Sequence, residues 1–145
     1  MKHVFRVRFV WLALVLSATL FSACKKSAVD PAPADLATRV AGQYTFSELS
    51  YNGKTLPASQ TNLKGGVTIT RSTASTVELA LDIRMKSTGE EFMVITADDI
   101  EVSEASGGDV NFRYEGERIA TLSGNKLTIN GEDEDNVPFK LTATK

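Results

Sequence analysis

One cysteine, one histidine and one tryptophan occur among the 145 residues, and all three lie early, at Cys24, His3 and Trp11. A histidine base or a histidine-ligated metal would have to use His3, and a single cysteine excludes a disulfide within the chain. What remains for chemistry is carboxylates, amines and hydroxyls. The carboxylates gather at Glu90-Glu91, at Asp98-Asp99 and in Glu132-Asp133-Glu134-Asp135-Asn136. Paired carboxylates can hydrolyse glycosides, but that reaction also needs a sugar cleft with aromatic platforms, and none is signalled. The acidic run lacks the spacing of an EF-hand loop, and alternate acids of an extended chain point apart, so a solvated hairpin loop is expected there rather than a calcium site. There is no glycine-rich phosphate loop or nucleophile elbow, and beyond residue 34 no Ser-x-x-Lys in a helical context. No catalytic residue, cofactor or metal ligand set is expected, and the chain reads as non-enzymatic.

The segment that carries the rare residues is itself an export signal. Lys2, Arg6 and Arg8 open it, Phe9 to Phe21 form an apolar run broken only by Ser17 and Thr19, and no acid precedes Asp30. The run of 13 residues is short of the roughly 20 that span a bilayer as a helix, so a permanent transmembrane anchor is the weaker reading. Leu20-Phe21-Ser22-Ala23-Cys24 resembles the lipobox of bacterial lipoproteins, with Phe21 in place of the usual Leu. Ordinary signal peptidase wants small residues at its first and third upstream subsites, and Phe21 would fill the third. The bland reading of a lone cysteine, a buried small hydrophobe, fits poorly at the end of an export signal.

The resemblance implies that residues 1–23 are removed and that Cys24 becomes an N-terminus carrying acyl chains such as palmitate. Several chains at about 0.8 kcal/mol per buried methylene give a stable membrane anchor. Lys25, where an inner-membrane retention signal would have Asp, points to the outer membrane, on its periplasmic or surface face. Loss of Lys2, Arg6 and Arg8 leaves 13 cations against 18 acids, a net charge of −5. Scattered cations at that balance argue against nucleic acid as a partner. Residues 24–34, with Pro31 and Pro33, read as a lipidated linker, leaving residues 35–145 as one domain.

Within that domain Asp35 is placed to cap one helical turn ending before Gly42. Short runs rich in Val, Ile, Thr, Phe and Tyr follow, separated by Gly and Asn, which signals an all-β chain. Val77 to Lys86 is the clearest strand: its odd positions are apolar, and its even positions are charged except Ala80. Strands are expected near 42–51, 66–72, 76–86, 91–96, 99–104, 109–114, 117–122, 126–130 and 136–143, the fourth and fifth being either two strands or one bent strand. Tyr44 and Phe46 share one phase while Leu49 and Tyr51 share the other, so a bulge near Ser47-Glu48 is expected. Tight turns at Thr88-Gly89, Gly107-Gly108, Glu115-Gly116 and Gly124-Asn125 make successive strands antiparallel neighbours. An up-and-down meander of about eight strands closed into a small β-barrel follows, since closure removes exposed edges; a two-sheet sandwich is the alternative.

Val40-Ala41-Gly42-Gln43-Tyr44-Thr45-Phe46 resembles the opening of a lipocalin barrel, with Tyr44 where that family has Trp. The hairpin Ile119 to Ile129 resembles the closing strands of the lipocalin-like domains of small Bacteroidota lipoproteins. Neither Arg118 nor Lys140 can be matched to the basic residue that packs on the family's Trp. The resemblance implies a ligand site inside the barrel, with Tyr44, Phe46, Leu56, Leu81, Ile83, Phe92, Phe112 and Tyr114 as candidate ligand-binding residues. Val67, Ile69, Leu79, Met93 as an alternative to Phe92, Leu127, Ile129 and Phe139 complete the expected lining. The long connection 52–65 would lie over the barrel mouth, with Leu56 and Leu63 pointing down as a lid; the alternative is an ordinary surface loop pinned by these leucines. Two functions stay open: a binding protein for a small apolar or amphipathic molecule, or a structural or protein-binding lipoprotein whose barrel is filled by its own side chains.

Overall fold

A computed structural model describes residues 34–132 and 136–145; the proposed signal, Cys24, most of the linker, and Asp133 to Asp135 of the acidic run lie outside the described residues. The chain enters through one helical turn, α1 (Leu36–Val40), capped as expected by Asp35, whose carboxylate accepts from the Thr38 amide at 2.8 Å. Nine strands follow: β1 (Gly42–Tyr51), β2 (Lys54–Pro57), β3 (Leu63–Arg71), β4 (Thr76–Met85), β5 (Glu91–Glu104), β6 (Val110–Tyr114), β7 (Glu117–Ser123), β8 (Lys126–Glu132) and β9 (Pro138–Thr144). From β3 to β9 each strand pairs antiparallel with the next. β1 joins β3 along Gly42 to Thr45 and β9 along Thr45 to Tyr51, which closes an eight-stranded barrel. β2 is a ninth strand, hairpinned onto the second half of β1 from Glu48 to Tyr51.

The side-chain period of the strands determines what fills the barrel. In β4, Val77, Leu79, Leu81 and Ile83 are all buried, and the residues between them face outward. Tyr44, Phe46, Ile69, Ile100, Phe112, Leu127 and Leu141 meet them from the other strands. Ala37 and Val40 of α1 plug one end, where the Tyr44 hydroxyl donates to the Val40 carbonyl at 2.7 Å and burial pushes the phenol's pKa up. Arg71 at the end of β3 pairs with Asp35, and Arg39 pairs with Glu104 at the end of β5, so the turn is strapped to two strands.

Closure at this size demands local distortion. β1 carries a bulge between Phe46 and Glu48, which puts Leu49 and Tyr51 on the inner face opposite Leu141 and Phe139. Gly65 and Gly66 let β3 pass very close to its neighbours: a Cβ would sit 1.9 Å from the Asp82 carbonyl oxygen at the first and 2.1 Å from that of Tyr44 at the second. β5 is one bent strand, kinked where Asp99 takes a positive φ of 55° and the pairing with β4 slips between Val77 and Leu79.

The connection 52–65 differs from the expected open loop. Asn52 and Gly53 both have positive φ, the signature of a tight two-residue hairpin turn, and they fold Lys54 to Pro57 back on β1. A 3-10 turn, Ala58–Gln60, leads from there into β3, which begins at Leu63 rather than near residue 66.

Candidate functional site

The barrel is packed from the α1 end upward and hollow at the other. The second half of β1, the β2 hairpin, the start of β3, the end of β4 and the starts of β5 and β9 converge there around a cavity of about 690 Å³. Its lining is apolar: Leu49, Tyr51, Leu56, Leu63, Met85, Phe92, Met93 and Phe139, with Lys54, Thr61 and Asn62 as the polar contributors. The volume falls in the range of about 300 to 1,000 Å³ typical of small-molecule sites.

Each wall has a local cause. The β1 bulge turns Leu49 and Tyr51 inward, and the β2 hairpin brings Leu56 over the opening. Leu63 faces Met85 across β3 and β4 and is buried. A slip in the β4–β5 register at Ile83 and Arg84 leaves Phe92 as an extra residue, and both it and Met93 contact the cavity. Lys86 ties down the turn between β2 and β3, donating to the carbonyls of Ala58 at 2.8 Å and Thr61 at 2.9 Å, while Asn62 donates to Ser87 Oγ.

The wall is lower on the far side. β5 pairs with β6 only from Glu101 to Glu104, and β7 with β8 only from Ala120 to Ser123. Where β7 and β8 part, a second cavity of about 650 Å³ opens, with Arg118, Lys140, Glu117, Glu132 and Asn130 among its lining. It shares Tyr51 and Phe139, a cross-strand pair, with the mouth cavity.

The expected ligand-binding residues divide into three groups. Tyr44, Phe46, Leu81, Ile83 and Phe112 are buried in the packed core below the mouth, as are Val67, Ile69, Leu79, Leu127 and Ile129. Leu56 and Phe92 reach the mouth cavity while remaining 43% and 48% exposed. Tyr114 does not line the barrel: it is 42% exposed at the tip of the β6–β7 hairpin, beyond the last β5–β6 pair. Leu56 lies over the cavity, and Leu63, the first residue of β3 rather than part of a loop, is buried and also lines it. The lining also contains Leu49, Tyr51 and Met85, which the sequence reading left out; the phase change in β1 was the signal for the first two.

Among the described residues no group of three or more His, Cys, Asp or Glu is placed to hold a metal. Asp98 and Asp99 mark the kink of β5, and the described end of the acidic run, Glu132, lies in the second cavity. Comparison with protein-family models, with curated proteins and with solved structures finds no match.

Proposed function

We propose that this chain is an outer-membrane lipoprotein, anchored through acyl chains on Cys24, whose lipocalin-like barrel binds a small apolar or amphipathic molecule without catalysing a reaction. The observation that carries the reading is the mouth cavity: about 690 Å³, lined mainly by aliphatic, aromatic and Met side chains beneath a short hairpin flap. Burial of apolar ligand surface against such a lining is favourable at about 25 cal/mol per Å² before association costs are met. Lys54 adds a cation to the lining, which suits an amphiphile with an acidic head. The anchor rests on the Leu20 to Cys24 sequence and its place after the export signal.

Native mass spectrometry of the chain purified from its own membrane tests the cargo directly, with an apolar fluorescent probe in lipid nanodiscs as the affinity assay. Met85→Trp fills the cavity and is expected to weaken probe binding while leaving the far-UV circular dichroism unchanged; undiminished binding overturns the site. Cys24→Ala is expected to release the chain from the membrane fraction and abolish incorporation of labelled palmitate, and persistent labelling refutes the anchor. The alternative, a structural or partner-binding lipoprotein, draws on the packed lower barrel and on the exposed apolar residues of β5.

A further inference from the structure

β5 is the longest strand of the barrel, and half of it lacks a neighbour on its second edge. Its pairing with β4 runs from Glu91 to Glu101, whereas β6 covers only Glu101 to Glu104. The kink at Asp98 and Asp99 carries the first half of the strand away from β6. Phe92 to Asp98 therefore presents, among the described residues, a strand edge with no partner along a length of about 23 Å. Alternate residues there direct backbone N–H and C=O groups outward, which is a template for pairing with another chain.

The side chains along that edge are apolar on both faces. Ile95 pairs with the buried Leu81, so it has the inner phase, yet it is 49% exposed because no strand follows β5 at that level. Val94, in the outer phase opposite Asp82, is also exposed. The segment is bracketed by acids, Glu90-Glu91 before it and Asp98-Asp99 after it. These charges discriminate between occupants. Pairing two copies antiparallel about Ile95 sets Glu91 against Asp99, and parallel pairing sets each acid against its own counterpart, so a second copy is disfavoured in either direction. An extended segment with cationic ends meets complementary charge at both, because Glu90 and Glu91 together supply two carboxylates beside the single Arg84 that bonds Glu91 at 3.2 Å.

We infer that the free edge of β5 is a strand-addition site for an extended peptide segment of a partner protein, one with alternating apolar residues between basic ends. Main-chain hydrogen bonds along Phe92 to Asp98 supply the register, an apolar side chain covers Ile95, and Lys or Arg at each end meets the acid pairs.

The test uses the full chain in nanodiscs of zwitterionic lipid and a synthetic peptide, Lys-Val-Thr-Val-Thr-Val-Lys. Amide hydrogen exchange is expected to slow in Phe92 to Asp98, and the same peptide with Glu at both ends is expected to bind about tenfold more weakly. N-methylation of the peptide on both alternating sets of residues, which blocks both of its pairing edges, is expected to abolish the protection. Glu91→Lys combined with Asp98→Lys should reverse the preference between the two peptides while leaving circular dichroism unchanged. Equal binding of the Lys and Glu peptides, binding without protection of residues 92–98, or no binding overturns the inference. So does sedimentation showing the chain dimerised through this edge.

Discussion

Leu81 and Asp82 are adjacent in β4 and occupy opposite worlds, which makes them a stringent test of the barrel's inside. Leu81 is 3% exposed, between Val67 on β3 and Ile95 on β5, whereas Asp82 lies outside and pairs with Arg84 at 2.7 Å. Leu81→Asp removes a packed side chain, worth about 3 to 5 kcal/mol by analogy with truncation to Ala. It also introduces a carboxyl that must be protonated to remain buried; from an ordinary pKa of about 3.9, neutralisation at pH 7 costs about 4 kcal/mol. The sum, about 7 to 9 kcal/mol, is comparable with the whole stability of about 5 to 15 kcal/mol expected of a small domain, so the variant should be largely unfolded. Asp82→Leu gives up one exposed ion pair and should cost less than about 1 kcal/mol. Urea unfolding followed by far-UV circular dichroism measures both. A Leu81→Asp barrel stable to within about 1 kcal/mol of the parent would mean that water reaches this level of the interior, and the boundary between core and cavity would have to move down.

Three further outcomes follow from the same geometry. Gly66→Ala should destabilise by more than about 3 kcal/mol, because its Cβ meets a backbone carbonyl at 2.1 Å; Gly53→Ala, with nothing within 4 Å but a φ of +73°, should cost only about 1 kcal/mol, and chemical denaturation separates the two. Phe112→Ala should cost about 3 to 5 kcal/mol with little effect on probe affinity, whereas Phe92→Ala should lower affinity and barely change stability, a contrast read by denaturation and probe titration together. Hydrogen bonds from Arg71, with the Thr38 amide beside them, hold the Asp35 carboxyl well below the usual carboxylate range. The folded pKa is depressed, so this stabilisation is complete above the unfolded value of about 3.9 and is lost as pH falls below it; the melting-temperature gap between the parent and Asp35→Asn should narrow below about pH 4, and a constant gap refutes the link.

Much of the barrel was legible because its strands are wet on one side. The alternation of Val77 to Met85 fixes which residues face in, the phase change between Phe46 and Leu49 announces the bulge, and Asp35 announces the cap. The glycine turns set each strand beside its successor. Harder to read was whatever depends on how far two strands stay together. Tyr114 has the right phase for the interior, but the inside ends below it because β6 outlasts its pairing with β5. Phe92 owes its place to a one-residue slip against β4, and nothing local to Phe92-Met93-Val94-Ile95 marks that slip. β2 was legible but missed: Asn52-Gly53 is a strong hairpin signal, obscured by the weak strand character of Lys54 to Pro57. The mouth cavity combines the slip at Phe92 with the β2 hairpin, which is why the expected lining lies too deep.

The strapping of α1 also decides how the molecule bears mechanical load. The chain enters at Asp35, at the plugged pole, where the described ends of β3 and β5 at Arg71 and Glu104 are tied to the helical turn; the cavity sits at the other ends of these strands, by Leu63 and Phe92. Any pull arriving from residues upstream of Asp35 is met first by two ion pairs and a capped turn, and is spread across the most densely packed part of the barrel. The β2 hairpin and the mouth, held by Lys86 through the carbonyls of Ala58 and Thr61, lie outside that line of force.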